Sequence, residues 1–460
     1  MSFDSLSYLL FLPAVFLLHR LCPARRRWIV LLGASLFFYA SWNRPLTLLL
    51  LSVIAASYLA GLCLAKTEKQ SARRLILALT LSLCLGLLLY FKYFRFLAAA
   101  LAALLGQSWK LRDVILPIGV SFYTFQAMSY VIDVYRDPAR VERHIGYYAL
   151  YVSFFPQLVA GPIERAERLL PQLRAGGQGS AEDLRAGLRL LLVGYFRKLV
   201  IADCCAPFVT AVYAAEAPDG SAVFLGTLLF SLQIYNDFAG YSEIARGSAR
   251  LFGVSLMQNF DRPYLALGFR DFWLRWHISL SRWFRDYLYI PLGGSRAGLL
   301  RQLGATLLVF ALSGLWHGAN WTFLVWGLFH GAALCLELML LRSSCEKPWQ
   351  KALGVLLTYF AVSFAWIFFR AVSLPHAFAL IARLFSRWNL SEGLALLGIT
   401  AADGLWLGFA LLSGELLHRL SQGNERPRDM TLIFLLLCVA LAWLIRLAQG
   451  GENAFIYFQF

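Results

Sequence analysis

Charge is what this sequence has least of. Asp, Glu, Lys and Arg make up 15% of its 460 residues, and only 26 of them are acidic. A soluble domain carries roughly 25%, so a cytosolic globular enzyme and a disordered chain are both excluded. Cysteine is scarce too, eight in all. Cys63, Cys84, Cys335 and Cys438 fall inside apolar runs, where cysteine serves as a small buried hydrophobe. The adjacent Cys204 and Cys205 have no second pair at metal-ligand spacing, so neither a disulfide scaffold nor a metal site is expected. Several soluble chemistries have no trace: there is no GxSxG elbow, no HExxH, no P-loop, no GxGxxG and no HxxxD pair. No basic segment precedes the first apolar run and no small-residue cleavage site follows it, so no cleavable signal peptide is expected.

What is abundant is apolar and aromatic surface. Hydrophobic residues reach 59%, with 36 Phe, 20 Tyr and 14 Trp, and the mean hydropathy is +0.62. That is the composition of an all-α polytopic membrane protein in contact with lipid. Forty-two Lys and Arg give a net charge of +16. These residues sit in short loops between apolar runs, not on a folded polar surface, so no nucleic-acid partner is expected. Retention of basic loops in the cytoplasm accounts for most of them, with a minor share left for an anionic ligand.

The first run, 6–18, ends in His19, Arg20 and Arg25 to Arg27, which places the N-terminus outside. The run 28–42 exits at a turn, Asn43-Arg44-Pro45, and 46–64 returns to Lys66, Lys69, Arg73 and Arg74. Further runs cover 75–91, 115–134, 145–163, 188–214, 222–235, 305–316, 321–341, 353–369, 404–417 and 431–444. With a spanning helix needing about 20 apolar residues, about 11 or 12 spans plus re-entrant or interfacial pieces are expected. Arg419, Arg426 and Arg428 precede the last run, so the C-terminus is also expected outside, which favours an even count. Two segments differ. Residues 164–189 are charged and read as a cytoplasmic surface element. Residues 269–294 interleave Phe269, Phe272, Trp273, Trp276, Trp283 and Phe284 with Arg270, Arg275, Arg282 and Arg285, the pattern of an amphipathic interfacial helix.

Polar groups at membrane depth are costly and mark functional candidates. His19, His144, His376 and His418 lie near loop edges. His317, in LSGLWHGANW, lies between two apolar runs with Trp316 beside it and Gly314 and Gly318 close by. An imidazole there is open to two readings, a satisfied core histidine or a general base. His330 follows thirteen residues on, about 20 Å along an unbroken helix. That is too far to share a metal unless Asn320 bends the chain back, so His330 reads as structural support. Asn236, Asp237 and Glu243 are open to structural bonding, substrate contact or a proton path, the first being favoured.

Five motifs then stand in order: LPIGVSFYTFQAMSYVIDVYR (116–136), FFPQLVAGPI (154–163), YNDFAGYSEIARG (235–247), FRDFWLRWHISLSRWFRDYLYIPLGG (269–294) and LSGLWHGANWTFLVWGLFHG (312–331). Together they resemble the membrane-bound O-acyltransferase family, and most of all its bacterial alginate O-acetylation branch, which also acetylates peptidoglycan and other exopolysaccharides. The resemblance implies one membrane domain over 1–460 with helices around a central tunnel. Its parts would be N-terminal helices (1–114), a catalytic core (115–342), C-terminal helices (351–420), a last span (429–449) and an outer-face tail (450–460). It implies that His317 matches the essential histidine and His277 the second signature position. It implies a cytoplasmic thioester donor, acetyl-coenzyme A as co-substrate with no tightly bound cofactor. A polysaccharide acceptor beyond the bacterial inner membrane and a separate periplasmic partner of the SGNH esterase type are implied as well. Arg270, Arg275 and Arg282 would suit the donor's phosphates, and Asn236, Asp237 and Asn320 would contact substrate. The C-terminal F-x-Y-x-x-F, Phe455 to Phe460, resembles the tail of a small partner in teichoic acid D-alanylation. Tyr457 there is either an acyl carrier or an aromatic interface anchor.

Two alternatives come from other quarters. D-alanyl transfer to teichoic acid would need a carrier-protein thioester and a separate tail protein, whereas this chain carries its own tail. A transporter or export component would explain the composition but not the signatures around His277 and His317. It would also be expected to show internal repeats, which are absent.

Overall fold

Helix dominates the described residues because lipid offers the backbone no hydrogen-bond partners. In the computed structural model, which describes residues 1–449 apart from 110, 112–113, 160, 177–178, 341–346 and 423–428, no strand occurs among the described residues. Two compact units are formed, one from residues 1–191 and 242–257 and the other from 192–241 and 258–460.

The first unit contains α1 (Leu6–Leu21), α2 (Arg27–Ala40), α3 (Arg44–Lys66), α4 (Gln70–Leu88), α5 (Phe94–Leu104), α6 (Val120–Arg136), α7 (Ile145–Ser153), α8 (Phe155–Leu158) and α9 (Ala166–Arg174). It also takes most of α10 (Ala181–Tyr195) and the end of α12 (Gly220–Leu251). Polar side chains start α1 and α3. The Ser5 hydroxyl accepts from Tyr8 N–H, and the Asn43 side chain from Leu46 N–H at 3.2 Å, with Pro45 in the first turn. Buried tyrosines find partners inside: Tyr148 donates to Ser57 at 2.7 Å, and Tyr8 meets Ser248 of α12 at 2.7 Å. Burying these hydroxyls unpaired would be costly.

The second unit contains α11 (Asp203–Ala214), the body of α12, α13 (Phe269–Arg275), α14 (Ile278–Phe284), α15 (Leu299–His317), α16 (Trp321–Leu340), α17 (Pro348–Arg370), α18 (Leu374–Leu384), α19 (Leu390–Leu397), α20 (Ala401–Gln422) and α21 (Asp429–Gln449). Its centre is the α15–α16 hairpin. A Cβ at Gly314 would land on the Phe323 carbonyl oxygen, and one at Gly327 on the Phe310 carbonyl oxygen. The two helices therefore pack backbone to backbone, as small residues allow in membranes.

Among the described residues, six helical stretches are long and apolar enough to cross a membrane, or seven if the bent α19–α20 pair is one crossing. The chain is a multi-pass membrane protein, and its described residues hold fewer such stretches than the about 11 or 12 spans expected. Several apolar runs fold into shorter or broken pieces: 115–134 gives the 17-residue α6, and 145–163 the short α7 and α8. The 269–294 segment also departs from expectation. It is not one amphipathic helix but two seven-residue helices broken at His277, with Phe272, Trp276 and Trp283 buried.

Candidate active site

His277 and His317 come from distant stretches of sequence and meet inside the second unit. Their ring centroids lie 6.2 Å apart, and both side chains are buried. His317 is the last residue of α15, the carbonyl end, where a helix favours positive charge. Trp316, Trp326 and Phe369 surround its ring at 5.1, 5.1 and 5.6 Å. Phe238 of α12 and Trp316 pack on His277 at 4.7 and 5.9 Å. Among the described residues, neither ring nitrogen of His277 meets a hydrogen-bond partner. Burial pushes its imidazole down to about 3, because low polarity disfavours the charged form. The ring is therefore neutral at physiological pH.

The backbone at His277 is unusual. Its φ of 42° and ψ of 54° are left-handed, a conformation that costs a non-glycine residue roughly 1–3 kcal/mol and is kept where the surroundings enforce it. The enforcing segment is residues 259–261. Ile278 N–H donates to the Asn259 carbonyl at 3.0 Å, and Asp261 N–H to the Arg275 carbonyl at 2.9 Å. The Ser279 hydroxyl donates to the Asn259 side chain at 2.7 Å. At the other end of α13, the Glu337 carboxylate accepts from Phe269 N–H at 2.7 Å and Arg270 N–H at 3.2 Å, complementing the positive helix end.

A cavity of about 570 Å³ runs beside this arrangement. Its wall includes Ser313, one turn before His317, and Leu280 and Ser281, one turn after His277. Arg270, Arg285 and Glu337 also line it, the two arginines being exposed. It thus joins a charged rim to an apolar interior of Trp273, Phe284 and Phe310, a volume in the range of small-molecule sites.

The other expected site residues divide. Arg270 lines the cavity; Arg275 pairs with Asp271 at 2.7 Å, and Arg282 is exposed elsewhere. Asn236 and Asp237 meet buried cations. The Asn236 side chain accepts from Arg197 at 3.0 Å, and Asp237 meets Lys198 at 2.7 Å. Lys198 also reaches Asp203 at 2.8 Å. The same stretch of α12 turns Tyr235 to Trp276 and Phe238 to His277. Asn320 braces the α15–α16 turn, donating to the Val372 carbonyl at 3.1 Å and accepting from Thr322 N–H. His330 is buried among rings, 4.9 Å from Trp326 and 5.2 Å from Trp273. Tyr457 lies outside the described residues.

Sequence reasoning missed Asn259, Arg285 and the buried cations Arg197 and Lys198. The cations had a signal, since they interrupt the apolar run 188–214 at membrane depth. They occupy a π-helical turn, Phe196–Ala202, a rare widening that recurs at functional sites. Asn259 gave none, because its partners Ile278 and Ser279 lie nineteen and twenty residues away.

The model of the membrane-bound O-acyltransferase family matches residues 139–374. The probable alginate O-acetylase AlgI of Azotobacter vinelandii is 38% identical over 85% of this chain and 80% of its own length. That of Pseudomonas putida is 34% identical over the whole of both chains. The peptidoglycan O-acetyltransferase of Helicobacter pylori is 37% identical over 76% of this chain and 72% of its own.

Proposed function

The chain belongs to the membrane-bound O-acyltransferase family and is an acyltransferase, and from that premise we propose that it passes acetyl groups from cytoplasmic acetyl-coenzyme A toward an extracytoplasmic polysaccharide. The observation that carries the reading is the meeting of His277 and His317 at 6.2 Å, in an aromatic enclosure one turn from a cavity with an arginine rim. Relatives named for alginate and peptidoglycan O-acetylation support the polysaccharide. Family membership removes the transporter reading.

The donor's phosphates would sit against Arg270 and Arg285, with the thioester reaching inward past Trp273. His317 takes the proton from an attacking hydroxyl, and the oxygen bonds to the thioester carbonyl carbon. The C–S bond breaks, and the departing thiolate takes the proton from the imidazolium. Neutral His277 offers the adjacent site a hydrogen bond without a second positive charge. Water is kept out by Trp316, Trp326 and Phe369, which strengthens each polar interaction inside.

The attacking hydroxyl in this proposal is that of Tyr457. An acetyl-tyrosine on the outer face of the inner membrane would hand its acetyl to a periplasmic SGNH-type partner and so to the glycan. The test uses purified protein in detergent with acetyl-labelled coenzyme A. Wild type should release thiol and become labelled. His317→Ala should lower thiol release at least ~100-fold, and Tyr457→Phe should abolish the label. Label retained by Tyr457→Phe removes the relay, and undiminished thiol release in His317→Ala removes the general base.

A further inference from the structure

We propose that Asn259 is a positioning residue for His277, capping α14 from a separate segment so that the imidazole is left to face His317. The proposal rests on the reading of His277 as part of the reacting site.

The argument starts from an oddity of α14. A helix begins with backbone N–H groups that have no partner within it, and the residue at the N-cap ordinarily supplies one from its side chain. His277 occupies the N-cap of α14, yet its side chain makes no capping bond. Asn259 supplies the acceptors instead. Its backbone carbonyl takes the N–H of Ile278 at 3.0 Å, and its side-chain oxygen takes the N–H of Ser279 at 3.3 Å together with the Ser279 hydroxyl at 2.7 Å. One buried residue thus satisfies the first two N–H groups of the helix.

The same clamp explains the backbone. Among the described residues, only Arg262 and His277 combine a side chain with a positive φ, 44° and 42°. They stand at the end of the capping segment and at the start of the capped helix. The Asp261–Arg275 backbone bond and the Arg275 contact with the Asp261 carbonyl at 3.5 Å close the other side. His277 is thus held left-handed from both directions. Without the clamp the junction can relax to an ordinary conformation, which swings the ring away from its 6.2 Å approach to His317. A displacement of that kind lowers the rate far more than it lowers binding, and the donor cavity touches neither Asn259 nor His277.

The test uses the full chain in detergent with acetyl-coenzyme A. Asn259→Ala should lower kcat about tenfold or more while KM for the donor stays within about twofold. Ser279→Ala, which removes one of the three bonds, should do less, and Ser279→Thr, which keeps the hydroxyl, should recover most of that loss. A second readout needs no substrate. Histidine carbethoxylation by diethyl pyrocarbonate, mapped by mass spectrometry, should find His277 protected in wild type and reactive in Asn259→Ala, with His330 protected in both. Unchanged kcat with His277 still protected overturns the proposal. Exposure of His330 along with His277 overturns it as well, since Asn259 would then be serving the fold as a whole. His277→Gly tests the underlying reading separately, because glycine accepts this φ without strain. Full activity in that variant takes His277 out of the site whatever Asn259 does.

Discussion

At the scale of single residues, burial acts in opposite directions on two ionisable groups. It drives the His277 imidazole down and the Glu164 carboxyl up to about 7, in each case favouring the neutral form. Glu164 belongs to a stretch whose charge marks it as a surface element, yet it is fully buried in the first unit. One carboxylate oxygen accepts from Met257 N–H, and Arg168 stands 3.6 Å away. Arg168, Arg165 and Arg246 pull the carboxyl back down but do not cancel the burial. Its folded value lies above the ordinary 4.5, so the stability it permits is complete below about 4.5 and is lost as pH rises through about 7. Glu164→Gln keeps an acceptor for Met257 and removes the titration. The variant should melt on the order of 3 °C higher than wild type at pH 8 and equally at pH 4.5. Thermal unfolding in detergent at the two values measures this, and a variant less stable at pH 8 would mean that the Arg168 pair outweighs burial.

At the scale of elements, the α15–α16 hairpin brings His317 against Trp326. Glycines at Gly314 and Gly327 allow the two backbones to touch. Gly327→Ala should separate the helices, lower acyl transfer at least ~10-fold and lower the melting temperature. Gly304 on the same α15 faces open space. Gly304→Ala should leave transfer unchanged and stabilise by up to about 1 kcal/mol. Equal effects of the two substitutions in a melting and thiol-release comparison would show that hairpin contact is not what matters. Much of this element-level order is absent from hydrophobic periodicity. The 269–294 segment has the spacing of one helix, but the Asn259 clamp breaks it at His277, and no pattern internal to the segment encodes that partner. His277 and His317 themselves were legible, because each stands inside a dense motif. Asn236 and Asp237 drew notice as polar residues inside an apolar stretch, but their cationic partners Arg197 and Lys198 were passed over as part of an apolar run.

At the scale of the whole molecule, scarcity of charge and abundance of aromatics suffice for the membrane class, but not for the number of crossings. A run such as 188–214 is apolar enough on average to suggest a span, yet it breaks at a π turn that carries two buried cations. Hydropathy counts apolar residues without knowing whether lipid or protein will cover them; α12 is 61% buried over its most apolar window. Six or seven qualifying helices among the described residues leave the parity of the crossings open, and parity decides which side receives the tail. The tyrosine relay requires the outer side, because an acetyl group returned to the cytoplasm would not reach a periplasmic acceptor. Basic residues ahead of α21, Arg419, Arg426 and Arg428, argue that this helix runs outward. A single cysteine at position 452, in a chain whose eight native cysteines are replaced by serine or alanine, should react with a membrane-impermeant maleimide in intact spheroplasts. A cysteine at position 68, in the basic loop between α3 and α4, should react only after the membrane is opened. Labelling of 452 only after opening would put Tyr457 on the donor side, and the acetyl group would then have to cross the membrane by a route other than the tail.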